Sequence, residues 1–226
     1  MEEDVHEYDG EDVAVSFDSN RCIHARECVE GLPAVFDVDR RPWVDPDGDD
    51  AEAVAAVVER CPTGALHYER LDGGPGERVP DRNVVTVVED GPLYLHGDVD
   101  VQTVDEESVL RDTRVGLCRC GHADNKPLCD NSHNRVFTAS GVDPGDAVPD
   151  PDADPEGGDE TGAEPLRVTL VRNGPLRLEG QFTLRTGDGD PTEHSRATLC
   201  RCGASADKPF CDNSHTGIDF STGEGE

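Results

Sequence analysis

Eight residues of this 226-residue chain recur in one arrangement, C-x-C-x8-C-x3-H. The first copy is Cys118, Cys120, Cys129 and His133; the second is Cys200, Cys202, Cys211 and His215. Thiolates and imidazoles are soft donors, and four of them from two short segments can close around a metal centre. Either a Cys3His zinc ion or a [2Fe–2S] cluster would accept this set. The spacing favours the cluster. Zinc knuckles mostly use two to four residues between cysteines, whereas two irons need two donors each, and C-x-C with C-x3-H supplies two pairs. Cys129 and His133 stand four residues apart and would share one face if Asp130 opens a helical turn. Asp130 and Asp212 suit the cap of such a turn, and Pro127 and Pro209 stiffen its approach.

Three more cysteines lie near the N-terminus. Cys22-Ile-His-Ala-Arg-Glu-Cys28 leaves five residues between two thiols, and Cys61 precedes Pro62. Three thiolates suit a [3Fe–4S] cluster. A [4Fe–4S] cluster would need a fourth donor, for which His24 is the nearest, and three structural or zinc-binding cysteines are the plainer alternative.

These donors need elements to hold them. Asp50 is a good helix cap, and Val54, Val57, Val58 and Cys61 share one face at helical spacing, so a helix is expected from about Asp50 to Arg60, ended by Pro62. Each Cys–His copy is preceded by a strand-turn-strand pattern. In the first, Val84 to Val88, Asp90-Gly91-Pro92, and Leu93 to Leu95 follow one another; in the second, Leu166 to Val171, Asn173-Gly174-Pro175, and Leu176 to Leu178. The whole stretch is an internal repeat. Thr86 corresponds to Thr169, 83 residues on; Cys118 to Cys200 and Lys126 to Lys208, each 82 on. Between the copies, residues 141–164 carry nine acids and no base, with many prolines. They read as a disordered, self-repelling linker.

The composition narrows the function. Net charge is −30, with 50 acidic residues against 20 basic, which disfavours nucleic-acid and anionic-membrane binding. No apolar run approaches the ~18–20 residues of a membrane span. The acidic start, Met1-Glu2-Glu3-Asp4, is unlike the basic opening of a signal peptide, so a cytoplasmic location is expected. In a reducing compartment an odd number of cysteines, nine, points to metal ligands rather than disulfides. Hydrophobic residues are only 34% and aromatics 4%, so small cores stapled by metal are expected rather than one large core. Acid excess with only two lysines, Lys126 and Lys208, among the basic residues looks halophilic. No catalytic triad, phosphate loop or Rossmann glycine pattern is present, so an enzyme is not expected.

The stretch C-R-C-G-A-S-A-D-K-P-F-C-D-N-S-H from Cys200 to His215, and its counterpart from Cys118, resemble the CDGSH (NEET-like) iron–sulfur signature. The resemblance implies a [2Fe–2S] cluster in each copy, one iron on Cys118 and Cys120 and the other on Cys129 and His133, with Cys200, Cys202, Cys211 and His215 serving likewise. Two departures stand out. Asn131 and Asn213 replace the signature glycine, and Asn tolerates a left-handed backbone. Ala123 stands where Ser205 offers a hydroxyl, so the first cluster would lack one hydrogen bond. Lys126 and Lys208 would place positive charge beside the clusters, since an ammonium is a compact point charge. Residues 14–70 resemble a divergent single-cluster ferredoxin, on Cys22, Cys28, Cys61-Pro62, Leu32-Pro33 and Arg41-Pro42-Trp43-Val44. Ala25 replaces the central cysteine of a four-cysteine ferredoxin.

The expected architecture is α+β: a small ferredoxin-like domain (1–79), then two β-rich CDGSH modules (80–140 and 165–226) forming a pseudo-two-fold pair across the linker (141–164). The expected cofactors are two [2Fe–2S] clusters and one [3Fe–4S] or [4Fe–4S] cluster. The expected function is electron transfer, with cluster carriage, redox or pH sensing, or a metal-stapled interaction module as alternatives. Partners would be redox or cluster-accepting proteins, with the chain a monomer containing an internal pseudo-dimer or a homodimer.

Overall fold

A computed structural model describes residues 4–148, 164–187 and 189–223. They fall into two compact units, divided near residue 79.

The N-terminal unit is a three-stranded antiparallel sheet, β1 (Val5–Asp9), β2 (Val13–Asp18) and β3 (Leu66–Arg70), in the order β1-β2-β3. It carries α1 (Glu27–Gly31) and α2 (Ala51–Val58). In β2 the alternation of Val13 and Val15 with Ala14 and Ser16 buries the valines and turns the polar side outward. The Asp50 side chain caps α2 by accepting from the Ala53 N–H at 2.9 Å, and the helix buries Val54 and Val58 completely. Trp43 packs edge-on against Phe17 at 4.9 Å and against Phe36 at 5.9 Å, as core packing. The pairing of Phe17 with Leu66 sets the end of β2 beside the start of β3. Cys22 and Cys61, just beyond those two points, are thereby delivered to one end of the sheet.

The second unit holds both repeats in one sheet. The first contributes β4 (Val84–Val87), β5 (Leu93–Thr103) and β6 (Ser108–Leu117), followed by the short helix α3 (His133–Val136). The second contributes β7 (Leu166–Leu170), β8 (Leu176–Arg185) and β9 (Thr192–Leu199), followed by a 3-10 turn, Ser214–Gly217. The hairpin turns fall where expected, but β5 and β8 run far beyond the short return strands read from sequence. Their first halves pair antiparallel with their own partners, β4 and β7, and their far ends pair parallel with the other repeat. Val99–Thr103 of β5 lies along Leu166–Leu170, and Thr183–Arg185 of β8 along Val84–Thr86. Val85, Val87, Leu95, Val99 and Val101 therefore share one core with Leu166, Val168, Leu178 and Leu184, all at most 2% exposed. Each such side chain contributes about 1.5–3 kcal/mol on burial.

β6 and β9 have no counterpart in the sequence reading, because their polar, exposed residues mask the apolar alternation that marks a strand. Asn83 joins the repeats: its amide donates to the Glu164 and Gln181 carbonyls, both at 3.0 Å, and its Oδ1 accepts from the Asp98 N–H. Within residues 141–147, read as the start of the linker, two points are tied down while Asp143 to Asp146 stay exposed: Val142 bridges Val88 and Ala147 is 1% exposed. Residues 149–163 of the expected linker lie outside the described residues. Among the described residues, no helix is long and apolar enough to cross a membrane.

Candidate metal centres

Each Cys–His site is assembled by a β-type closure. At the end of β6 the Cys118 N–H donates to the Pro127 carbonyl at 2.9 Å and the Cys129 N–H to the Gly116 carbonyl at 3.0 Å. The loop 118–129 is thus pinched shut, and Cys129 returns beside Cys118. At the second site Cys200 and Pro209, and Cys211 and Thr198, make the same bonds at 2.8 and 2.9 Å. The donors meet in pairs. Cys118 and Cys120 bring their sulfurs to 3.6 Å, as do Cys200 and Cys202. Cys129 Sγ lies 3.2 Å from His133 Nδ1, and Cys211 Sγ 3.5 Å from His215 Nδ1.

The ligand pair is not carried on a helical face, as the i, i+4 spacing suggested. The helix begins only at His133, and in the second module a 3-10 turn begins at Ser214. What turns the chain is the intervening Asn in the left-handed region, Asn131 at φ 69° and Asn213 at φ 70°. Asp130 does not cap a helix. Its two oxygens accept from the Asp124 N–H at 2.8 Å and the Ser132 N–H at 2.9 Å, clamping the cysteine loop to the histidine turn. Asp212 clamps Ala206 and Ser214 in the same way. For Asp130 these donors outweigh burial and hold the carboxyl below its usual range. Asp212 is held down chiefly by Ser214.

Lys126 donates to the Ala123 carbonyl, and Lys208 to the Ser205 carbonyl at 2.5 Å, so each ammonium staples its own cysteine loop. The Ser205 hydroxyl is likewise engaged in the loop: it donates to the Phe210 carbonyl at 2.6 Å and accepts from the Asp207 N–H at 3.0 Å.

The sequence reading gives Arg119 and Arg201, between the paired cysteines, no role, although their identity in both C-R-C copies is the available signal. Both are buried, at 3% and 2% exposure. Each Nε donates at 2.8 Å to a carbonyl of its hairpin turn, Gly91 and Gly174 respectively, and each Nη2 to a second carbonyl, Val88 and Val171. The guanidinium therefore anchors the paired thiols to the rigid hairpin.

The donor chemistry fits a cationic group. Burial pushes the Cys129 thiol up to about 12 and raises Cys202. The contact between the Cys118 and Cys120 thiols lowers Cys118 and raises Cys120, and burial adds to the rise at Cys120. Thiols this costly to ionise become thiolates against bound metal. Among the described residues no three His, Cys, Asp or Glu side chains converge on a single-ion position. The paired arrangement suits two irons with two ligands each.

In the N-terminal unit Cys22, Cys28 and Cys61 line one cavity of about 260 Å³, with His24, Phe17 and Trp43 also in its wall. Burial and then neighbouring Cys61 push Cys28 up to about 12, and burial raises Cys22. Arg21, also missed in the sequence, donates through Nε and Nη2 to the Thr63 carbonyl at 3.1 and 2.8 Å and ties the Cys22 segment to the Cys61 segment.

The family matches give the class of protein, one that binds iron–sulfur clusters. Residues 8–71 match a family described as divergent 4Fe-4S mono-cluster. Residues 90–134 and 173–216 match the iron-binding zinc finger CDGSH type. Over 61 residues the chain is 41% identical to the uncharacterized protein YjdI of Escherichia coli K12, an alignment covering 27% of this chain and 80% of that protein. YjdI of Escherichia coli O157:H7 matches equally. No solved structure matches. One stretch of the chain thus matches the divergent 4Fe-4S mono-cluster family and two matches to the CDGSH type follow it in the same polypeptide.

Proposed function

We propose that the chain is an electron-transfer protein with three clusters. A [2Fe–2S] cluster is held by Cys118, Cys120, Cys129 and His133, and another by Cys200, Cys202, Cys211 and His215. Cys22, Cys28 and Cys61 hold a [3Fe–4S] cluster, or a [4Fe–4S] cluster if His24 supplies the fourth ligand. The observation that carries the reading is the pairing of donors, 3.6 Å within each C-x-C and 3.2 or 3.5 Å within each Cys–His pair. When bound, such clusters supply one-electron exchange, and a histidine ligand raises the potential relative to cysteine alone.

The protein's part is to fix the ligands and keep water from the paired thiolates. The Arg119 and Arg201 anchors and the Asp130 and Asp212 clamps do so. The reciprocal pairing of β5 with β7 and of β8 with β4 supports reading the modules as a pseudo-two-fold pair within a monomer. Cys120 also bridges Cys202 in antiparallel fashion, which sets their Cα atoms roughly 4.5–5.5 Å apart. One ligand of each site thus lies beside one of the other, which favours electron exchange between them. The partners on this reading are redox proteins in a reducing cytoplasm. Cluster carriage is the second reading, favoured by the partly exposed Cys211 and His215.

The test is iron, zinc and acid-labile sulfide per chain, on protein purified without oxygen in high salt. About seven or eight irons with about eight sulfides and no zinc are expected. Two or three zincs without sulfide would overturn the proposal. A redox titration then separates an electron carrier from a redox-silent structural module.

A further inference from the structure

The two CDGSH sites have the same ligands but different cover. At the first, Cys118, Cys120 and Cys129 are each 3% exposed and His133 8%. At the second, Cys200 and Cys202 are also buried, but Cys211 and His215 are only partly so, and Asp212 and Asn213 lie open.

The cover at the first site has named parts. Phe137 packs against Cys118, Cys120 and Ala123, and its ring lies over the Arg119 guanidinium with 4.9 Å between Cζ and the ring centroid. Ala123 leaves the ring an apolar floor where the other copy has Ser205. The segment that carries Phe137 is tied down: the Ala139 N–H donates to Asp90 Oδ1 at 2.7 Å, and Val142 exchanges backbone bonds with Val87 and Glu89 at 2.7 and 2.8 Å. Arg119 adds a bond to the Ser140 carbonyl at 3.2 Å. Its Nη1 is buried and, among the described residues, has no hydrogen-bond partner. A buried donor without an acceptor is costly, and the anionic surroundings of the neighbouring cysteines are what would satisfy it. A buried arginine is common to both sites; the first differs in having Phe137 over Ala123 on its Cys118–Cys120 side and in burying Cys129 and His133, while the second is open at its Cys–His end.

We propose that the two sites have divided roles: the second is the exchangeable one, open to an incoming metal acceptor at Cys211 and His215, and the first, with its Cys129 and His133 buried, retains its metal behind Phe137. The proposal rests on the reading of both as [2Fe–2S] sites. Exchange is ligand substitution without change of oxidation state. Donor atoms of the acceptor would replace the Cys211 thiolate and His215 Nδ1; the thiolate would take up a proton from water, whereas the imidazole, neutral as a ligand, would leave neutral. At the first site Cys129 and His133 are themselves buried and Phe137 closes the Cys118–Cys120 side, so an acceptor gains entry only after that tethered segment moves.

The experiment is removal of iron by EDTA from the full-length, cluster-loaded protein in high salt. Visible absorbance and released sulfide are followed in time, and the N-terminal cluster is followed separately by electron paramagnetic resonance. Two phases are expected for the CDGSH sites, the faster by roughly ten-fold, which corresponds to about 1.4 kcal/mol in barrier. Cys211→Ala should lack the fast phase and Cys129→Ala the slow one. Phe137→Ala, which leaves every ligand in place, should bring the slow phase toward the fast. A single phase in the parent protein, a fast phase lost with Cys129→Ala, or a slow phase unmoved by Phe137→Ala would each overturn the division of roles. Protein without acid-labile sulfide would instead overturn the underlying cluster assignment, and the division with it.

Discussion

The turn between the last cysteine and the histidine of each site depends on one backbone geometry. Asn131 and Asn213 adopt the left-handed region that the resembled signature fills with glycine. Asparagine tolerates that region, whereas a β-branched residue there is a genuine outlier. Asn213→Gly should therefore keep stability and cluster content. Asn213→Val should cost about 1–2 kcal/mol and release His215 from its place beside Cys211. Denaturant unfolding of the loaded protein, with iron counted per chain, checks both. The reading of Asn as a stand-in for glycine needed only the sequence, because the constraint is local. The roles of Lys126, Lys208 and Ser205 were less legible. Charge and hydroxyl suggested contacts to the clusters, and the structure engages all three with carbonyls of their own loops. A flexible polar side chain takes the nearest unsatisfied acceptor, which residue type alone does not reveal.

Among the elements, the two cysteine loops cross so closely that only glycine fits at the contact. A Cβ on Gly121 would stand 2.6 Å from the Cys202 carbonyl oxygen, at φ +83°. Gly203 meets the Cys120 carbonyl in the same way, at 2.5 Å. Gly121→Ala is expected to cost about 1–3 kcal/mol and to loosen both CDGSH sites together, since one contact serves both. Loss of iron confined to the first site would contradict this. A second prediction concerns the end of β3. Arg70 holds Asp72 through paired bonds at 2.9 and 2.6 Å, and Asp72 is lowered to about 2. A carboxylate with a depressed folded pKa stabilises the fold above its unfolded pKa and loses that contribution as pH falls through the folded value. The stability difference between the parent and Asp72→Asn should accordingly be level near neutrality and vanish as pH falls from about 4 toward 2. An acid titration of the unfolding free energy checks it.

Over the whole molecule the dominant feature is a charge of −30. Self-repulsion acts over ~8 Å at 0.15 M salt and ~3 Å at 1 M, so the unfolding midpoint should rise as KCl is raised between those concentrations. A midpoint independent of KCl would dismiss the halophilic reading. The sequence by itself determined the eleven metal-ligand candidates, the internal repeat and the family, because donor type and short spacing are local properties of a chain. It also marked the cap at Asp50 and the hairpin turns, which a few neighbouring residues set. The tertiary structure alone decided that β5 and β8 each serve both repeats, that Arg119, Arg201 and Arg21 anchor the ligand loops, and that one CDGSH site is covered and the other open. Those features arise from contacts between distant residues, such as Val99 with Leu166 and Cys120 with Cys202. Apolar burial is non-directional and leaves no period in the sequence from which such partners could be read.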